Sequence, residues 1–169
     1  EDVQKIVVGN VDRIESIVMR MLGLAKEKPR QKSPVNINDV IETTLPLFNA
    51  GKTVIKKNLE PIKKIQGDKE ELQEVFINLL QNAVEAMPDG GEIVLRTRVE
   101  NERIVVEVSD TGKGIPEDLR EKIFDPFFSS RHEGTRLGLS IVYRIVREHG
   151  GEIKVESQVG KGTAVRMTF

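Results

Sequence analysis

Asn78 and Asn82 stand four residues apart in an amphipathic run, although Asn is a poor helix former. That spacing stacks their amides on one helix face, with Glu74 and Glu85 extending the polar stripe. Their amide oxygens suit a nucleotide and a hard cation such as Mg2+, and taken singly the pair also fits a solvated face. Asp110-Thr111-Gly112-Lys113-Gly114 follows a strand-like run. An ionised carboxylate only accepts hydrogen bonds, so Asp110 can take the exocyclic amine of adenine while Gly112 and Gly114 let backbone approach the base. A Gly-rich turn capped by Asp reads the same letters without a ligand. Residues 134–139, GTRLGL, open a helix whose free N–H groups and positive dipole end suit phosphate. This segment is not a P-loop, and no strand leads into it as the dinucleotide fingerprint requires.

The elements that must position these groups follow from periodicity. Val3, Val7, Ile14, Ile17, Met21 and Leu24 fall on one face of a helix over 1–27, and a second stripe through Val8, Val11, Val18, Leu22 and Ala25 widens it to a bundle helix needing partners. Residues 28–33 read as a polar linker, and 34–169 as one α/β or α+β domain of alternating short elements. Within it, Asn38 is the expected cap of a helix through Phe48 that Pro46 should shorten. Asp68 and Glu71 open a long core helix carrying Leu72, Val75, Phe76, Leu79, Leu80, Ala83, Val84 and Met87. Ile93, Leu95, Thr97 and Val99 alternate on a strand, which Asn101-Glu102 turns into a second carrying Ile104, Val106 and Val108. A short helix is expected at 117–123, a polar loop at 125–136 and a helix at 137–148. A hairpin around residues 159–162 closes the chain.

Composition narrows the function classes. The 26 basic and 27 acidic residues nearly cancel, so no global field favours nucleic acid or an anionic membrane. Six Phe, one Tyr and no Trp argue against a base-stacking platform for single-stranded nucleic acid. With no Cys and only His132 and His149, thiolate chemistry and paired-His zinc sites are excluded, and the cytoplasm is the expected compartment. No run approaches the ~18 apolar residues of a membrane span. The opening residues lack a signal peptide, and the chain is expected to be part of something longer.

In this order, NLLQNAVEAM (78–87), DTGKGIP (110–116), FDPFFSSR (124–131), GTRLGLSIVYRIVREHGG (134–151) and GKGTAVRMTF (160–169) resemble five motifs of one family. They are similar to the N box, first glycine box, F box, second glycine box and terminal Gly-Thr strand of the catalytic and ATP-binding domain of two-component sensor histidine kinases. The wording NAVEAM and FDPFF is nearest the nitrogen-regulation type. The resemblance implies a Bergerat α/β sandwich, a mixed sheet with helices over one face, and a lid at 125–136. It implies that Asn78 and Asn82 meet the phosphates and Mg2+, with Asn82 the metal ligand. Asp110 would read adenine, with Gly112 and Gly114 against the base and Thr163 near it. Gly134, Thr135, Gly138 and Leu139 would line the triphosphate, Arg131 would meet the γ-phosphate, and Phe124, Phe127 and Phe128 would anchor the lid.

Two features depart from the family pattern. Arg136 occupies the middle glycine of the second glycine box, where it either obstructs phosphate or adds a cation. The H box with its phosphoacceptor His is absent, and His132 and His149 read as structural. The 1–27 helix then resembles the second helix of the dimerisation and phosphotransfer bundle. The expected partners are ATP or ADP, an H-box helix and a response-regulator receiver, in a homodimeric kinase. The expected reaction is transfer of the γ-phosphoryl of Mg-ATP. A serine kinase or ATPase of the same fold, and a non-catalytic scaffold, are the alternatives. Gyrase-like relatives of the fold carry Glu where Asn78 stands, and an amide cannot take a proton from water.

Overall fold

The structure, a computed structural model, describes residues 32–120, 122–124 and 138–169. The readings at 1–27 and 125–136 lie outside these residues, as do Phe127, Phe128, Arg131, His132, Gly134, Thr135 and Arg136.

Strand β1 (Ser33–Val35) leads into helix α1 (Ile37–Thr44). The cap is Asn36, whose side chain accepts from the Asn38 N–H, and not Asn38 as the spacing suggests. Asn38 is committed elsewhere: its Nδ2 donates to the Glu60 carbonyl at 2.9 Å and its Oδ1 accepts from the buried Thr97 hydroxyl at 2.8 Å. Pro46 has its expected effect, since the α-helix stops at Thr44 and continues only as a 3-10 turn, Leu45–Leu47.

Strands β2 (Val54–Leu59) and β3 (Ile65–Gly67) precede helix α2 (Lys69–Ala86), which Asp68 caps by accepting from the N–H groups of Glu70 and Glu71. Leu72, Val75, Phe76, Leu79, Leu80 and Ala83 form its buried stripe, as the periodicity requires. The chain then builds β4 (Glu92–Glu100) and β5 (Arg103–Asp110), a 3-10 turn at Glu117–Leu119, helix α3 (Gly138–Glu148), and the hairpin β6 (Glu152–Gln158) and β7 (Gly162–Thr168). Among the described residues, the helix expected over 117–123 is only that short turn.

The main sheet runs β2-β4-β5-β7-β6, parallel at β2–β4 and antiparallel elsewhere, while β1 and β3 pair separately. The three helices bury one face of it around Ile93, Leu95, Val106, Val108, Ile145 and Met167. The expected sandwich is therefore the one observed. Val99 departs from its strand: it has the inward parity yet is 50% exposed, as β2 ends at Leu59 opposite Thr97 and its pairing does not extend to Val99. On the other face, where Val105 is buried, the described residues carry a series of ion pairs. Arg96 pairs with Glu107, Arg98 and Arg166 with Glu100, and Arg103 with Glu152.

Candidate functional site

Strand register gathers polar residues at one end of the helix-covered face. Ile93 stands opposite Asp110, Asp110 opposite Thr163, and Thr163 opposite Ser157, so four strands contribute one transverse row. The row continues the parity of the buried Val108 and Val165, which places it over the core side of the sheet. Asp110 Oδ1 accepts from the Gly112 N–H at 2.8 Å and the Thr163 N–H at 3.3 Å. Both bonds go to one oxygen, and among the described residues no donor reaches Oδ2. Burial holds the Asp110 carboxyl above its ordinary range, against the lowering effect of those two N–H groups.

The loop after β5 is fastened at three points. Lys113 N–H donates to the Ala86 carbonyl at the end of α2, Gly160 N–H donates to the Lys113 carbonyl, and Ile115 N–H donates to Ser157 Oγ at 2.8 Å. Gly114 adopts φ +72° with the Gln158 carbonyl 2.1 Å from where a Cβ would sit, so neither its backbone nor its surroundings admit a side chain. Gly112 likewise has Ala86 at 2.6 Å from that position. The two glycines thus let the loop close on α2 and the β6–β7 turn, a nearer physical reason for them than contact with a base.

Across from this loop, α2 and α3 meet at the paired amides. Asn78 is buried and its Nδ2 donates to the Glu74 carbonyl at 2.8 Å, which directs Oδ1 away from that bond. A Cβ on Gly138, the first residue of α3, would lie 3.1 Å from Asn78 Oδ1 and 3.6 Å from Asn82 Nδ2. The fold thus brings N-box and second-glycine-box residues together without intervening side chains. Leu139 is partly buried and packs against the core.

Asn82 Nδ2 is buried with no hydrogen-bond partner among the described residues. Such a donor suits a phosphate oxygen, and the companion amide oxygen suits a hard cation. No group of three or more His, Asp or Glu side chains that could hold a metal occurs among the described residues. The donor set therefore fits a Mg2+ that keeps phosphate and water ligands, and does not fit an all-protein cage.

His149 is structural, as its sequence context suggests. Its side chain is fully buried, Nδ1 lies 2.8 Å from the Ile145 carbonyl, and Nε2 accepts from the Asp68 N–H at 3.0 Å. These bonds fix the neutral tautomer with the proton on Nδ1. Phe124 meets Tyr143 of α3 ring to ring, with centroids 5.4 Å apart. Ser157 escaped sequence reasoning although its hydroxyl touches Ile115, Gly162 and Thr163. Counting back from the hairpin turn would have put it opposite Thr163.

The sequence profile of the histidine kinase-, DNA gyrase B- and HSP90-like ATPases matches residues 67–169. Sporulation kinase C of Bacillus subtilis is 36% identical, the alignment covering 100% of this chain and 41% of that protein. The sensory histidine kinase/phosphatase NtrB of Azospirillum brasilense is 33% identical over 91% of this chain and 43% of its own length. The chain thus spans less than half of these curated relatives. Histidine kinase ThkA, solved in complex with the response regulator TrrA, superposes with a TM-score of 0.79 at 30% identity, covering 97% of this chain and 49% of that one. With the profile spanning the Asn78–Gly138 apposition and the Asp110 row alike, the chain belongs to the histidine kinase-, DNA gyrase B- and HSP90-like ATPase family.

Proposed function

We propose that this chain is the ATP-binding catalytic core of a sensor histidine kinase, transferring the γ-phosphoryl of Mg-ATP to a His on a bundle helix outside the 169 residues. The observation that carries the reading is the Asp110 carboxylate, pinned through Oδ1 and, among the described residues, without a donor at Oδ2 at the end of the covered sheet face. Oδ2 accepts the exocyclic amine of adenine, and Thr163 stands beside it. Asn78 and Asn82 hold the phosphate oxygens between α2 and Gly138, with Asn82 Oδ1 toward the cation. Gly134 and Thr135 extend the phosphate site, and Arg131 meets the γ-phosphate.

Bound with the nucleotide, Mg2+ supplies charge neutralisation at the phosphates. The chain itself positions and orients, and the acceptor imidazole is the nucleophile. The Asn78 amide takes no proton from water, which favours transfer over hydrolysis. The partners of the whole protein are a bundle H box, the first 27 residues serving as the second helix of that bundle, and a response-regulator receiver, in a cytoplasmic homodimer. The neighbour solved with a response regulator supports that last pairing. No helix among the described residues is long and apolar enough to cross a membrane.

Calorimetric titration of ADP with and without Mg2+ tests the reading. ADP is expected to bind in both, more tightly with Mg2+, and Asn82→Ala is expected to abolish the gain from the cation. Absence of binding in either condition would overturn it and leave the scaffold alternative.

A further inference from the structure

Two side chains tie the loop after β5 to strand β7, one from each end of the loop. Asp110 Oδ1 accepts from the Gly112 N–H of the loop and from the Thr163 N–H of β7. Ser157, which lies in none of the nucleotide motifs, makes the same join at Ile115. Its Oγ accepts from the Ile115 N–H at 2.8 Å and lies 3.0 Å from the Gly162 carbonyl and 2.9 Å from Thr163 Oγ1. A serine oxygen carries one proton and two lone pairs. The carbonyl only accepts and the N–H only donates, so the Ser157 proton goes to Gly162 and the Thr163 hydroxyl donates to the remaining lone pair.

The donors that pin Asp110 are thereby held from the Ser157 side. Gly112 shares its short loop with Ile115, and Thr163 stands between Asp110 and Ser157 in the strand register, bonded to both. With both N–H groups on one oxygen, the carboxylate cannot turn without losing them. Slack in either would let it rotate and divide its two oxygens between the same donors.

We propose that Ser157 is a positioning residue for the nucleotide site: it holds the Gly112 and Thr163 N–H groups on one oxygen of Asp110, so that the other is kept for the ligand. The assignment rests on the nucleotide reading above for the identity of that ligand alone. Ser157 acts through the loop and β7, and touches no ligand itself.

Burial raises the Asp110 carboxyl and those two N–H groups lower it, and no charged side chain among the described residues takes part. Weakening the donors therefore raises the midpoint at which Asp110 titrates. An amide-detected NMR titration of the full chain against pH, with the Gly112 N–H as reporter, reads that midpoint without ligand, and calorimetry at neutral pH reads ADP affinity. In Ser157→Ala the midpoint should rise and ADP affinity should fall about tenfold, on the scale of one hydrogen bond. An unmoved midpoint, whatever becomes of affinity, shows a merely structural serine and overturns the proposal. A raised midpoint with wild-type ADP affinity overturns it as well, by removing Ser157 from the ligand site. Should Ser157→Ala fail to fold, Ser157→Cys, whose thiol is a weak donor and a weak acceptor, should raise the midpoint in its place, and an unmoved one overturns the proposal. Absence of ADP binding to the wild-type chain strikes the nucleotide reading instead, and the ligand-free midpoint then still decides whether Ser157 holds the donors of Asp110.

Discussion

At the scale of single residues the site rests on how few atoms are left unspent. Asp110 gives one carboxylate oxygen to the loop and keeps the other, at the expense of desolvation that raises its pKa. A carboxyl whose folded pKa lies above its unfolded value, about 4, adds stability below that value and loses it as pH rises through the folded one. Asp110→Asn should therefore match the wild type in stability at low pH and exceed it near neutrality, measured as urea midpoints across pH. The same variant puts donors where the adenine amine donates, and ADP affinity should drop by about ten- to a hundredfold. Wild-type ADP binding should weaken as pH falls through the raised value, because the acceptor becomes protonated. His149 makes the opposite case, with both ring nitrogens used inside the protein. His149→Ala should lower stability by about 2–4 kcal/mol in denaturant unfolding, leaving the Asp68 N–H without its partner and a cavity behind.

The elements show what periodicity can and cannot reveal. Helix α2 and the hairpin β4–β5 are legible because their buried faces repeat with the period of the element, as Leu72 to Ala83 and Ile93 to Thr97 do. Asn36 and Asn38 are both good capping residues, and the sequence alone does not separate them; Asn36 caps the helix because Asn38 is held by its long-range bonds to Glu60 and Thr97. Ser157 was invisible for a related reason: its role exists only after β5, β6 and β7 are in register. The glycines were legible as motif letters, but not the reason for them, since Gly114 answers to Gln158 forty-odd residues away. Gly114→Ala should thus destabilise by more than about 1–2 kcal/mol from its positive φ alone, and ADP affinity should fall with the displaced loop. The turn between β4 and β5 offers the converse test. Asn101 and Glu102 both have positive φ, the geometry of a hairpin turn that prefers Asn-Gly, so Glu102→Gly should raise stability by about 0.5 kcal/mol in thermal unfolding with nucleotide binding unchanged.

For the whole molecule, the division of labour follows from the layers. One face of the sheet is filled by α1, α2 and α3, and the polar row and paired amides sit where that filling ends, so the proposed nucleotide site is a rim of the core. On the proposed reading the domain supplies the nucleotide chemistry and the acceptor His is supplied by a bundle helix. Of the two histidines in the 169 residues, His149 is sealed within the fold. A reaction between separate chains forgoes the effective molarity of an intramolecular one, so transfer should be slow and rise with acceptor concentration. The measurement that bears most directly on the central claim is incubation of this chain with Mg-ATP labelled in the γ-phosphoryl group, alone and with a separately supplied bundle carrying an H box. Acid-labile phosphate should appear on the His of the bundle, in proportion to its concentration, and none on this chain. Acid-labile phosphate mapped to His132 or His149, or none on the bundle while ADP still binds, would contradict the account.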